Sequence, residues 1–173
     1  MNKADLLRHW RFRVHRVQHA HYESARIFDR RHFFIGVPSI ILSTIVGTTV
    51  FASLKEISTQ SDLVWPTIIV GLLSISSAVL TSLQTFLDYK GLAERHKLSG
   101  ARFADLKHKL EIIATFASGD DCDLRLRLTE IEQQWEKIRE ESPNVPTRLW
   151  KRIEKKMTLE KDKEMHPEFG KNA

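Results

Sequence analysis

Positions 33–54 and 63–87 contain no Asp, Glu, Lys or Arg, while the rest of the chain mixes charged residues with regularly spaced apolar ones. A helix needs about 20 mainly apolar residues to cross a hydrocarbon layer about 30 Å thick, so each run predicts a membrane-spanning helix with length left for tilt. The segment 55–62 between them, KEISTQSD, is polar and too short to hold a domain, which makes the pair a helical hairpin joined by an external loop. Trp65 suits a headgroup boundary, and Pro66 suits a first helical turn, where its missing N–H is not needed.

The charged parts carry a second pattern. Leu7, Trp10, Val14, Val17, His21, Ser24 and Phe28 recur at intervals of three and four among Arg8, Arg11, Arg13 and Arg16. That spacing predicts an amphipathic helix over 1–32 that runs into the first span, with Pro38 as the place for a bend. After the second run, Tyr89, Leu92, His96, Ser99, Phe103, Leu106, Leu110, Ile113 and Ala117 extend the same series, which predicts one unbroken helix over 64–117. Ser118, Gly119 and the cluster Asp120, Asp121 and Asp123 mark a turn. The helix after it carries Leu124, Leu128, Ile131, Trp135 and Ile138 and stops at Ser142-Pro143, so 88–142 reads as a cytoplasmic helical hairpin. Pro143 and Pro146 form a stiff connector, Thr147 can cap a last helix bearing Leu149, Trp150, Ile153 and Met157, and disorder is expected beyond Lys161 within 143–173. No strand pattern appears. The fold class is therefore all-α, a membrane protein with a two-helix transmembrane hairpin whose cytoplasmic helices bury their apolar seams in a bundle.

Charge placement orients the hairpin. Arg16, Arg26, Arg30 and Arg31 precede the first run, and Lys90, Arg95, Lys97, Arg102 and Lys107 follow the second, whereas the connecting loop has only Lys55. Both termini are expected in the cytoplasm of a multi-pass membrane protein. The competing reading of the first run is a cleaved signal peptide, for which Val50 and Ala52 have roughly the small-residue spacing. The patterned charged segment before it, 32 residues long, is unlike a short signal leader.

Little in the sequence suits catalysis. There is no glycine-rich phosphate loop, nucleophile elbow, HExxH or CxxC, so no enzyme activity and no cofactor is expected. The single cysteine, Cys122, excludes an intrachain disulfide, and its Asp120, Asp121 and Asp123 neighbours disfavour a thiolate. His15, His19 and Glu23 share one helical face and could supply three metal ligands, but the surrounding arginines oppose a cation, and no metal is expected. The basic helix over 1–32 suits anionic headgroups of the lipid bilayer better than nucleic acid.

The spans carry a subtler signal. Gly36, Ser39, Ser43 and Gly47 in the first, and Thr67, Gly71, Ser74, Ala78, Thr81 and Thr85 in the second, form stripes of small, mildly polar residues, with Gln84 beside the latter. Such stripes serve close helix packing in lipid or a water-facing lining, and both readings stay open for Ser43, Gly47, Gly71, Ser74, Ala78, Thr81, Gln84 and Thr85. His96 and Ser99 interrupt an apolar seam, where a buried polar layer can fix the register or oligomer number of a bundle, and His96 is a candidate pH sensor.

The second span ends Leu83-Gln84-Thr85-Phe86-Leu87 and is followed by Ala93-Glu94-Arg95-His96-Lys97-Leu98-Ser99-Gly100-Ala101-Arg102-Phe103 and a charged helical hairpin with the Pro143 and Pro146 connector. Together these segments resemble the SLATT family over 8–152. The resemblance implies a two-transmembrane effector of prokaryotic conflict, or anti-phage, systems that works with a nucleotide-synthesising or nucleotide-sensing partner and permeabilises the inner membrane as a pore. It carries over no catalytic residue. Two spans cannot enclose an aqueous path, so a pore requires a homo-oligomer. The alternative reading is a non-conducting anchor or scaffold that recruits a cytosolic enzyme.

Overall fold

Helix α1 (Lys3–Glu56) runs through both the charged N-terminal segment and the first apolar run. The structure is a computed structural model that describes residues 3–56, 64–116 and 121–165. Pro38 lies inside α1, where its missing N–H leaves the carbonyl of Phe34 without the usual helical donor. The helix nevertheless continues to Glu56. It is followed by α2 (Val64–Leu87), α3 (Tyr89–Phe116), α4 (Asp121–Glu141) and α5 (Thr147–Met165). Among the described residues there is no strand, and the fold is all-α. Most of the expected external loop, the turn at Ser118, Gly119 and Asp120, and the tail beyond Met165 lie outside the described residues. The last helix itself extends four residues past the expected end at Lys161.

One expectation fails at Asp88. The unbroken helix over 64–117 is two helices, because Asp88 takes a left-handed backbone conformation (φ 36°) between α2 and α3. Its carboxylate Oδ1 accepts the N–H of Gly91 at 3.1 Å, so Asp88 acts as the N-cap of α3. A Cβ on Gly91 would lie 2.2 Å from Asp88 Oδ2. The glycine therefore supplies the space that the capping carboxylate fills, and an Asp able to bond its own downstream backbone displaces the helical continuation.

The chain divides into two compact units, one of Met1–Ile27 with Leu92–Ala173 and one of Phe28–Gly91. In the first, α1 is buried on two faces. Leu7 and Val14 join Phe103, Leu106 and Leu110 of α3 and Ile131 of α4 in one core, flanked by Trp10, Val17, Ile113, Leu128, Trp135 and Ile138. Ala20 joins Leu149, Ile153 and Met157 of α5 in another, flanked by Phe12, Ile27, Val145 and Trp150. Burying a side chain such as Leu106 stabilises by about 1.5–3 kcal/mol, which is why the three-four seams dictate the packing. Charged residues border these cores. The Arg13 guanidinium lies 5.2 Å from the Trp135 ring, and that of Arg16 lies 5.1 Å from Trp150 while pairing with Glu154 at 3.1 Å. Arg102 pairs with Glu141, joining α3 to α4. The connector ends where the Pro146 carbonyl accepts the N–H groups of both Leu149 and Trp150, which starts α5.

Candidate functional site

The second unit holds the two apolar helices, α1 from Phe28 onward and α2. Ser39 and Thr81 meet hydroxyl to hydroxyl at 2.8 Å, and Ser43 and Ser77 at 2.6 Å. The pairs step forward along α1 and backward along α2, so the helices are antiparallel. Thr81 also donates to the Ser77 carbonyl at 2.9 Å, which makes Ser39 the donor to Thr81. Ser39 and Ser77 are buried in this seam. One turn closer to Asp88, Gly36 is buried against Gln84, whose Nε2 lies 3.2 Å from where a Cβ would stand. In hydrocarbon a hydroxyl that finds no partner is costly, so these pairs fix the register of the hairpin without water.

A groove of about 420 Å³ opens beside this seam, lined by Ser39, Ile40, Ser43, Thr44, Thr81 and Gln84. Thr44 also donates to the Ile40 carbonyl at 2.8 Å, as do Ser76, Ser82 and Thr85 to carbonyls one turn earlier in α2. Each of these hydroxyls keeps its oxygen lone pairs available to a further donor.

Apart from Thr81, the described part of the small-residue stripe on α2 is turned away from α1. Gly71, Ser74, Ala78 and Thr85 are exposed, and a Cβ on Gly71 would meet nothing within 4 Å. At 3.6 residues per turn they lie roughly a quarter turn from Ser77, on the side of the hairpin where the groove opens. Thr81 belongs to both stripe and groove. Gly47 of α1 is half-buried with open space at its Cβ position. Of the residues singled out in the sequence, Ser43, Thr81 and Gln84 are thus brought together, while Gly71, Ser74, Ala78 and Thr85 form an uncovered strip beside them. Ser77 was missed, because it lies off the small-residue stripe and nothing in its neighbours marks it as the partner of Ser43. Elsewhere the hairpin presents large apolar groups, including Ile41, Ile45, Ile69, Leu72, Val79 and Leu83.

The polar layer of the first unit is His21 and His96 rather than His96 and Ser99 alone. The two rings are buried with Nδ1 atoms 3.0 Å apart. Ser24 and Ser99 are also buried, and each donates to a carbonyl one turn earlier in its own helix. Burial, followed by the charge of His96, pushes the pKa of His21 down to about 4, and burial lowers that of His96. His15 is lowered by burial first and then by the Lys107 ammonium. Among the described residues no three His, Cys, Asp or Glu side chains converge as a metal site, and Glu23 pairs with Arg26 at 2.8 Å.

A family model described as SMODS and SLOG-associating 2TM effector domain family 4 matches residues 4–168. No curated protein and no solved structure matches the chain.

Proposed function

The chain belongs to the SMODS and SLOG-associating 2TM effector domain family 4, and we propose on that premise that it is an oligomeric pore of the inner membrane that acts in anti-phage defence. In this reading the first unit holds the spans closed, and a nucleotide-synthesising or nucleotide-sensing partner shifts the bundle to an open arrangement by binding that arrangement better. Both termini face the cytoplasm, in keeping with the Lys and Arg residues that flank the spans. The protein itself performs no catalysis and binds no cofactor or nucleic acid.

The observation that carries the reading is the two-sided hairpin. One side combines the Ser43, Thr44 and Gln84 groove with the exposed Gly71, Ser74, Ala78 and Thr85 strip. Elsewhere the hairpin exposes mainly large apolar groups, with Leu72 61% exposed and Ile75 64% exposed, interrupted by the hydroxyls of Thr48, Ser76 and Ser82. Hydroxyls and small residues facing lipid gain nothing there, whereas several copies arranged with this side inward supply close packing and a wettable wall.

The test is membrane potential and dye entry in cells that express the protein with its genomic neighbours. Gly71→Leu and Ser74→Leu are expected to abolish induced leakage, since a leucine at either position projects from the uncovered strip, and Leu106→Glu to make leakage independent of the partner by disrupting the bundle that holds the spans closed. Leakage that persists in both strip variants overturns the assignment of this side to the lumen. A membrane that stays sealed while the partners are active assigns the chain to the role of a non-conducting anchor that recruits a cytosolic enzyme.

A further inference from the structure

His21 of α1 and His96 of α3 are 3% and 0% exposed, and their Nδ1 atoms stand 3.0 Å apart. At that distance one Nδ1 carries the hydrogen and the other accepts it, so the contact holds only while at least one ring is neutral. A second proton would set two N–H groups face to face. The rings are tilted by 44° with centroids 5.2 Å apart, and His21 also stacks on Phe103 at 5.5 Å. Phe103 in turn meets the Trp135 ring edge-on at 6.1 Å. The pair is therefore built into the same core as Leu106 and Leu110, and parting the rings disturbs that core.

The charged groups on the helices around the pair are exposed or engaged with one another, Glu94 of α3 being among the exposed ones. On α1, Glu23 pairs with Arg26, and Arg13 lies over Trp135. On α3, Arg95 and Lys97 are exposed, and Arg102 pairs with Glu141 of α4. Also on α4, Glu136 pairs with Arg139, and on α5 Glu154 pairs with Arg16. Among the described residues the one titratable group that bears on His21 is His96.

We propose that His21 and His96 form a proton-operated latch between α1 and α3, closed while the two rings share a hydrogen and released when both are protonated. The latch belongs to the first unit and does not depend on the spans forming a pore. Burial opposes the charged form of both rings, so release follows acidification or any partner that admits water to the pair.

The experiment uses the full chain in lipid nanodiscs, with hydrogen exchange of the α3 amides around Phe103 and Leu106 corrected for the intrinsic pH dependence of exchange, and with NMR titration of ring-labelled histidine. Below about pH 6.5 the opening equilibrium of the wild-type bundle is expected to rise by up to tenfold per pH unit for each proton taken up. His96→Asn, which keeps a donor and acceptor near the Nδ1 position but cannot titrate there, is expected to lower that slope. The double variant His21→Leu with His96→Leu is expected to remove the pair's share of it, leaving that of other groups such as His15, and it serves also as the apolar replacement if His96→Asn folds poorly. Equal slopes in the wild type and in the folded variants overturn the latch, as do two rings that titrate independently near the ordinary value.

Discussion

Ser43 of α1 and Ser77 of α2 stand hydroxyl to hydroxyl at 2.6 Å, with the Ser39 and Thr81 pair one turn away at 2.8 Å. Within an apolar hairpin these contacts specify which residues of the two helices face each other. A double-mutant cycle on Ser43→Ala and Ser77→Ala should return a coupling of about 0.6 kcal/mol, with about 1.7 kcal/mol as the ceiling seen for such bonds in membrane helices. Reversible unfolding of the full chain in mixed micelles measures it, and a coupling indistinguishable from zero would show that the register is set by shape alone.

The Asp88 cap yields a second prediction. Asp88→Ala should cost about 1–2 kcal/mol, since it removes the bond to Gly91 and leaves a non-glycine residue at positive φ. Asp88→Asn should retain most of that stability, as Asn keeps an acceptor oxygen and tolerates the left-handed region. Gly91→Ala should behave like the loss of the cap, because the new methyl would occupy the carboxylate's place. Thermal unfolding followed by circular dichroism compares the three, and a fully stable Gly91→Ala would contradict the account.

In the bundle, Leu106 is 1% exposed and Leu126 is 63% exposed. Leu106→Ala should destabilise by about 2–5 kcal/mol, the usual cost of a truncated core leucine. Leu126→Ala should stay within about 0.5 kcal/mol of the parent. Denaturant midpoints of the detergent-solubilised chain provide the comparison.

His15 offers a test of charge at the edge of the same core. Its pKa lies below the ordinary 6.5, first through burial and then through Lys107. A histidine held neutral in the folded state binds fewer protons there than in the unfolded chain, so its contribution is intact above about pH 6.5 and is lost as the pH falls through the lowered folded value. Lys107→Met should raise the His15 value toward 6.5 and shrink that acid-induced loss. The His15 ring resonances report the first effect and stability against pH the second; an unmoved titration would remove Lys107 from the explanation.

The parts of this architecture that were legible in the sequence are those written as dense periodicity. Leu7, Val14, His21, Ser24 and Phe28 on α1, and Phe103, Leu106 and Leu110 on α3, are buried as their three-four spacing requires. The second buried face of α1 was not legible. Phe12, Ala20 and Ile27 stand eight and seven residues apart with Arg13, Arg16 and Glu23 among them, so the periodicity is too sparse to distinguish from a solvated face. The helix break was hidden because Asp88 is neither Gly nor Pro, and only its spacing from Gly91 hinted at a cap. His96 stood out as a polar interruption of its seam, but the meeting with His21 depends on the register between two helices far apart in sequence, which neither helix encodes alone. The same limit hid the Ser43 and Ser77 pair.

Because α1 serves one core with Leu7 and Val14 and another with Ala20, substitutions on that helix have few harmless places to fall. Positions such as Arg8, Arg11 and Arg26, which are exposed along one edge, are where neutral variation can accumulate. Elsewhere in 7–28 an altered side chain must be accommodated by α3 and α4 or by α5, so changes on α1 will tend to spread through lineages together with compensating changes on those helices. The opening segment of the chain is thereby expected to evolve more slowly than its charged, surface-like composition suggests.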